Sequence, residues 1–245
     1  MYILFDTETT GKETTDKIVQ VGAMLIDNKK NVQVIDEMCS TEVSMTLGAM
    51  EIHGITPEML EGKPKYAETT FKKLLDELNT EKNFLVAHNI SFDLGMIQKE
   101  GFKNNMQLID TCRAAMHLID GVESYRLQHL RYALGLYKTE EVEAEALGVE
   151  IKAHDAIGDV MIMKLLLSRL VEEVRKKYPK ENPIAKLVEL TKTPAIIKVF
   201  KFGKYKGENI ADIYQKDKGY ISWMRKNMDM DENLEYTLDQ HLKGE

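Results

Sequence analysis

Two cysteines, five prolines and one tryptophan are a sparse supply for 245 residues. Cys39 and Cys112 match no metal-ligand spacing, and two isolated thiols make no disulfide framework, so the expectation is reduced cysteines in a cytoplasmic chain. No apolar run approaches the roughly 18 residues of a membrane span. The opening Tyr2-Ile3-Leu4-Phe5 is too short for a secretory core and runs straight into acids, so neither membrane association nor export is expected. Positive charge is also in deficit: 33 Lys and Arg against 40 Asp and Glu give a formal −7, which excludes a uniformly basic coat for nucleic acid. No internal repeat is found.

Hydrophobic content of 43% supports one sizeable core with a small second module. The fourteen methionines and the many lysines read as genome bias, with core filling the more frequent use of Met than a Met-rich binding surface. The charge is uneven. Between Lys164 and Lys206 twelve Lys or Arg face four acids, a local +8 that suits either a phosphate-tracking stripe or a solvated helix face.

Residues 2–5, 18–26 and 32–38 read as three strands of an antiparallel meander, with 27–31 as a turn. Residues 67–78 carry Phe71, Leu74, Leu75 and Leu78 at helical spacing. Residues 83–87 and 107–110 read as further strands, and 90–100, 111–118, 127–134 and 155–177 as helices. The order β-β-β-α-β-α-β-α predicts an α/β fold: an RNase H-like mixed five-stranded sheet flanked by helices. The expected division is a main domain over 1–178, a proline-punctuated linker over 179–194 in which 184–191 could hold one or two helical turns, and a small α+β module over 195–245. The module would hold a strand at 196–202 and short helices at 210–215 and 220–226.

Three segments carry the chemistry. Asp6 and Glu8 lie two apart, so a strand presents both on one side. Asp93 falls in the first turn of a helix that follows a strand, and Asp159 lies inside the long helix. If the fold gathers them, four carboxylates repel one another and resist desolvation unless cations neutralise them. Hard oxygen ligands suit Mg²⁺ or Mn²⁺ rather than zinc. Two such ions clamping the attacking and leaving oxygens is an arrangement for phosphodiester hydrolysis. His154, five positions before Asp159, shares its side only from a loop preceding the helix, with Asp155 as N-cap. From there it could take a proton from the attacking water, because its pKa lies near working pH.

The segments Phe5-Asp-Thr-Glu-Thr-Thr-Gly11, His88-Asn-x-x-Phe-Asp93 and His154-x-Ala-x-x-Asp159 resemble the motifs of the DEDDh exonucleases, the family of the epsilon proofreading subunit of bacterial DNA polymerase III. The resemblance covers about residues 1–175. The tyrosine variant would need Tyr where Asp155 stands. The segment Ala49 to Thr56 resembles the family's His-Gly-Ile-Thr stretch, with one departure at Gly48, where many members carry an acid.

The resemblance implies that Asp6, Glu8, Asp93 and Asp159 hold two Mg²⁺, with Mn²⁺ able to substitute, and that His154 is the general base. It further implies release of nucleoside 5′-monophosphates from the 3′ end of single-stranded or frayed DNA. Thr7, Thr9, His53, Asn89 and Phe92 would line the substrate, and a DNA polymerase subunit is an implied partner. RNA trimming, and a non-catalytic docking role, are the competing functions.

Residues 202–223, with Phe202-Gly-Lys-Tyr-Lys-Gly207, are similar to the small C-terminal module of exonuclease X-like proteins. Lys204 and Tyr205 would contact nucleic acid there, by charge and by stacking. Tyr220 and Trp223 are expected in the module's core.

Overall fold

The computed structural model describes residues 1–27, 31–152 and 154–243. Part of the turn expected at 27–31 therefore lies outside the described residues. Five strands form one sheet: β1 (Tyr2–Thr9), β2 (Ile18–Ile26), β3 (Val32–Met38), β4 (Phe84–Ala87) and β5 (Gln107–Asp110). Their order is β3-β2-β1-β4-β5. β1, β2 and β3 pair antiparallel, while β4 adds to β1, and β5 to β4, in parallel. This mixed sheet is the expected one, with β1 running four residues further than the apolar run indicated, so Asp6 and Glu8 are strand residues.

Alternation along β1 builds a core on each face. Ile3 and Phe5 join Leu85, Ala87, Phe71, Leu75, Met96 and Ile97 on one face. That face is covered by α2 (Thr70–Glu77) and α3 (Ile90–Lys99). Leu4 joins Met24, Val86 and Ile109 on the other. Here lie α4 (Thr111–Leu118), α5 (Leu127–Ala133), α6 (Glu140–Leu147) and the 22-residue α7 (Ala156–Lys177). The short α1 (Leu47–His53), capped by Thr46, was not legible beforehand. Nor was α6, whose run Glu-Glu-Val-Glu-Ala-Glu lacks a clear apolar stripe.

Residues 179–194 differ from the expected linker. Asn182 caps α8 (Pro183–Lys192), accepting from the N–H groups of Ile184 and Ala185. Leu187, Val188 and Leu190 are buried in the same core as α4 and α7. The Thr191 hydroxyl accepts from Asp110 N at 2.8 Å, fastening the helix to the end of β5.

The tail also corrects an expectation. Residues 196–202 form no strand; a single bridge, Val199 to Asn209, is the sheet-type pairing described there. Side chains of α11 (Glu232–Lys243) take the N–H groups a strand partner would have used: Ala195 N donates to Asn233 Oδ1 and Ile197 N to Thr237 Oγ1, both at 2.8 Å. With α9 (Ile210–Lys216) and α10 (Lys218–Asn227), the module is helical. Phe200, Ile210, Ile213, Met224, Leu234 and Leu238 form a core separate from the sheet's two.

Candidate active site

The end of β1 gathers the acidic segments from opposite faces of the sheet. Asp6 and Glu8 share the parity of Leu4 and so project toward α7. Thr7 has the opposite parity and meets α3, where its backbone N–H and its hydroxyl both donate to Asp93 Oδ1, at 3.0 and 2.7 Å. Asp93 is 3% exposed, so these two bonds stand in for water. Burial nevertheless pushes its pKa up to about 7, against the lowering effect of the Thr7 bonds.

Asp159 comes close because α7 lies almost on the sheet. Gly22 is the cross-strand partner of Asp6, and a Cβ there would lie 2.3 Å from the backbone of Ala156 and Ile157. Only glycine lets the start of α7 approach so closely. Asp159, in the helix's first turn, accepts from Gln128 Nε2 on α5 at 2.5 Å. Arg131 Nη1 donates to Gln128 Oε1 at 3.2 Å and pairs through its other nitrogens with the buried Glu140. Burial pushes Asp159 up to about 6, while His154 and the Gln128 bond pull it down.

Burial first, then repulsion from Asp159 and Asp93, holds Glu8 at about 8. Asp6 is raised well above the carboxylate range by burial, then by Asp93, Glu8, Asp159 and Asp155. The four carboxylates are thus in electrostatic reach of one another. Among the described residues, however, no three His, Cys, Asp or Glu side chains already stand in an arrangement that holds a metal ion. The donor set fits a hard divalent cation on its chemistry: all oxygens, crowded enough that Glu8, Asp93 and Asp159 raise the proton affinity of Asp6, and Asp93 and Asp159 that of Glu8, a repulsion that positive charge relieves.

His154 occupies the turn before α7 with φ 58°, an uncommon left-handed residue, and its ring is exposed. Asp155 takes the N-cap position but makes no side-chain cap bond. Its carboxylate accepts from Gln20 Nε2 at 2.9 Å, and the same Gln20 nitrogen reaches Asp36, also at 2.9 Å. The cap expected from sequence is therefore replaced by a tie to β2.

The expected substrate contacts divide. Thr9 donates to Gly11 O at 2.7 Å. His53, 7% exposed, has both ring nitrogens engaged: Nδ1 accepts from Ile55 N, which leaves Nε2 as donor to Thr9 O. It fastens α1 to the end of β1. Asn89 sits in the left-handed conformation at the start of α3, its N–H bonded to Asp110. Phe92 is half-buried on the α3 side.

Comparison with known proteins decides the lineage. Residues 3–167 match the Exonuclease family, and residues 200–229 match the Exodeoxyribonuclease X-like C-terminal family. The chain belongs to the Exonuclease family. A relative among these exonucleases, exodeoxyribonuclease 10 of Escherichia coli strain K12, is 26% identical over 245 residues, the full length of both chains. The 3′-5′ exonuclease DinG of Bacillus subtilis is 27% identical over 197 residues, 76% of this chain but 19% of that protein. The fold resembles that of exonuclease X in complex with 5′ overhanging duplex DNA, with TM-score 0.54, 22% identity, and cover of 78% of this chain and 99% of that one. Members of the Exonuclease family generally use divalent metals.

Gln128, Arg131, Glu140 and Gln20 hold the acids of this candidate site and are not read from the sequence. In the tail, Lys204 pairs with Asp217 at 3.1 Å, and Tyr205, 8% exposed, donates to the same carboxylate at 2.7 Å. Both are used internally. Trp223, expected in the core, is 52% exposed. The basic run is also largely answered by acids: Lys164, Arg169, Lys176, Lys177, Lys186 and Lys198 each pair with a carboxylate. No helix among the described residues is long and apolar enough to cross a membrane.

Proposed function

We propose that this exonuclease is a divalent-metal-dependent 3′→5′ exodeoxyribonuclease of the DEDDh type, working in the cytoplasm. The observation that carries the reading is the gathering of Asp6, Glu8, Asp93 and Asp159 around one strand end, each raising a neighbour's pKa or raised by it. Asp6, Glu8, Asp93 and Asp159 are the residues to hold Mg²⁺, which neutralises their charge and supplies electrophilic assistance to phosphodiester cleavage. The Thr7 bonds keep one oxygen of Asp93 oriented, and Gln128 does the same for Asp159. His154, exposed and forward of α7, is the group to accept the proton of the attacking water. The names of the relatives, exodeoxyribonuclease 10 and the 3′-5′ exonuclease DinG, support DNA and 3′→5′ polarity. Likeness to PolC-type DNA polymerase III supports polymerase association as one setting.

A panel of 5′-labelled single-stranded DNA, mismatched duplex DNA and short RNA, each with Mg²⁺ or EDTA, tests the reading. Stepwise shortening from the 3′ end, fastest on DNA, is expected. Faster trimming of RNA would move the enzyme to the exoribonucleases. His154→Ala should leave weak activity that recovers partly at high pH, where hydroxide replaces the lost base.

A further inference from the structure

Trp223 stands where a strand of nucleic acid could stack on it. Its ring lies on Tyr220, centroids 6.0 Å apart and planes 21° from parallel. Tyr220 packs edge-on against Tyr205 and Phe200, which anchors the platform to the module's core. Gly203, at φ 72°, fits over the Tyr220 hydroxyl, where a Cβ would come within 2.4 Å. That contact holds the turn 201–207 beside α10. Phe202 in this turn is 37% exposed. Lys201 and Lys206 in the same turn, and Lys226 three residues past Trp223 on α10, are exposed. A protein-docking patch would be expected to lose charge toward its centre, whereas here lysines alternate with rings.

The turn is also tied to the candidate active site. Lys201 Nζ lies 5.6 Å from the centroid of the Tyr125 ring, and the Tyr125 carbonyl is 2.8 Å from His88 Nε2. His88 opens the segment that carries Asp93.

We infer that Trp223, with Phe202 and the lysines around them, forms a base-stacking site for single-stranded DNA upstream of the 3′ end being cut. The inference rests on the exonuclease reading only for the identity of the polymer. Indole and phenyl faces accept any base, and the lysines meet phosphates, so the site would bind without sequence preference and weaken with salt.

Trp223 is the chain's single tryptophan, so its fluorescence reports this site alone. The full chain is titrated in EDTA with an oligo-dT of about sixteen nucleotides, following fluorescence and the anisotropy of a labelled oligomer together. Quenching that tracks binding, with roughly tenfold weaker binding for Trp223→Ala and near-normal binding for Trp223→Phe, is expected. Hydrolysis of a dinucleotide, which offers almost no strand upstream of its 3′ end, should be unchanged in Trp223→Ala. Binding without quenching, absence of binding, or equal quenching by blunt duplex would overturn the inference. The binding arm contains no metal, so its outcome is separate from that of the exonuclease assay.

Discussion

Thr7 donates twice to one oxygen of Asp93, across 86 residues of chain and from the opposite face of β1 to Asp6 and Glu8. Strand alternation explains how one short segment serves both faces. The hydroxyl bond favours the ionised form of a carboxylate that burial otherwise drives toward its proton. Removing it in Thr7→Val should raise the Asp93 pKa further and weaken divalent-metal binding. A hydrogen bond to a charged group contributes about 1.5–3 kcal/mol, so kcat/KM at limiting metal should fall about tenfold or more. Thr7→Ser should restore it. Calorimetric titration of the metal checks the binding arm, and unchanged affinity in Thr7→Val would contradict this role.

Stability should vary with pH in a definite direction. In the folded chain Glu8, Asp93 and Asp159 keep their protons up to about 8, 7 and 6. Unfolded carboxylates release theirs near pH 4. Between those limits the folded state binds more protons, so stability falls as pH rises. The contribution of these groups is complete below about pH 4 and lost as pH passes through 6 to 8. Melting temperatures in EDTA should therefore decline across that window, and Mg²⁺ should flatten the decline. A melting temperature that climbs with pH under EDTA would contradict the crowded-carboxylate account.

Gln128 should behave as a positioning residue. Its amide holds Asp159 and is itself held by Arg131, which is fixed by the buried Glu140. Gln128→Ala is expected to lower kcat and metal affinity several-fold with little change in melting temperature. Glu140→Ala removes one partner of a buried pair and should cost about 3–5 kcal/mol in stability as well. Thermal melts beside metal titrations separate the two effects, and an equal loss of stability in both variants would refute the distinction.

Gly22→Ala tests how the helix reaches the strand. The added methyl would meet the Ala156–Ile157 backbone at 2.3 Å, forcing α7 and Asp159 away from Asp6. Overpacking of this kind costs about 1–3 kcal/mol. At roughly 2–4 °C per kcal/mol for a chain of this size, a drop of about 5 °C and a marked loss of activity are expected. Normal activity in Gly22→Ala would show that the close approach is not needed.

The sheet and the main helices were legible because their signals are periodic and dense: Phe71, Leu74 and Leu75 on α2, Val19 to Leu25 on β2. The acids could be placed because each lies on or just after a recognisable strand, or at a helix start. What escaped reading depends on partners distant in sequence. Asp155 has the right identity for a cap, yet Gln20, 135 residues away, claims its carboxylate. Residues 196–202 are β-rich, but Asn233 and Thr237 of a helix answer their N–H groups. Trp223 reads as core by residue type, yet it stacks on Tyr220 and is 52% exposed. Gln128 carries no local sign that it holds Asp159.

The central claim is that four carboxylates at the end of β1 bind the metal that drives cleavage. It is tested most directly by incubating wild-type protein and Asp6→Ala with single-stranded DNA while titrating Mg²⁺, with released products resolved by chromatography. Nucleoside 5′-monophosphates appearing with Mg²⁺, vanishing in EDTA, and absent with Asp6→Ala at any Mg²⁺ concentration is the predicted result. Mononucleotide release by Asp6→Ala at near wild-type rate, or release by the wild type in EDTA, would contradict it.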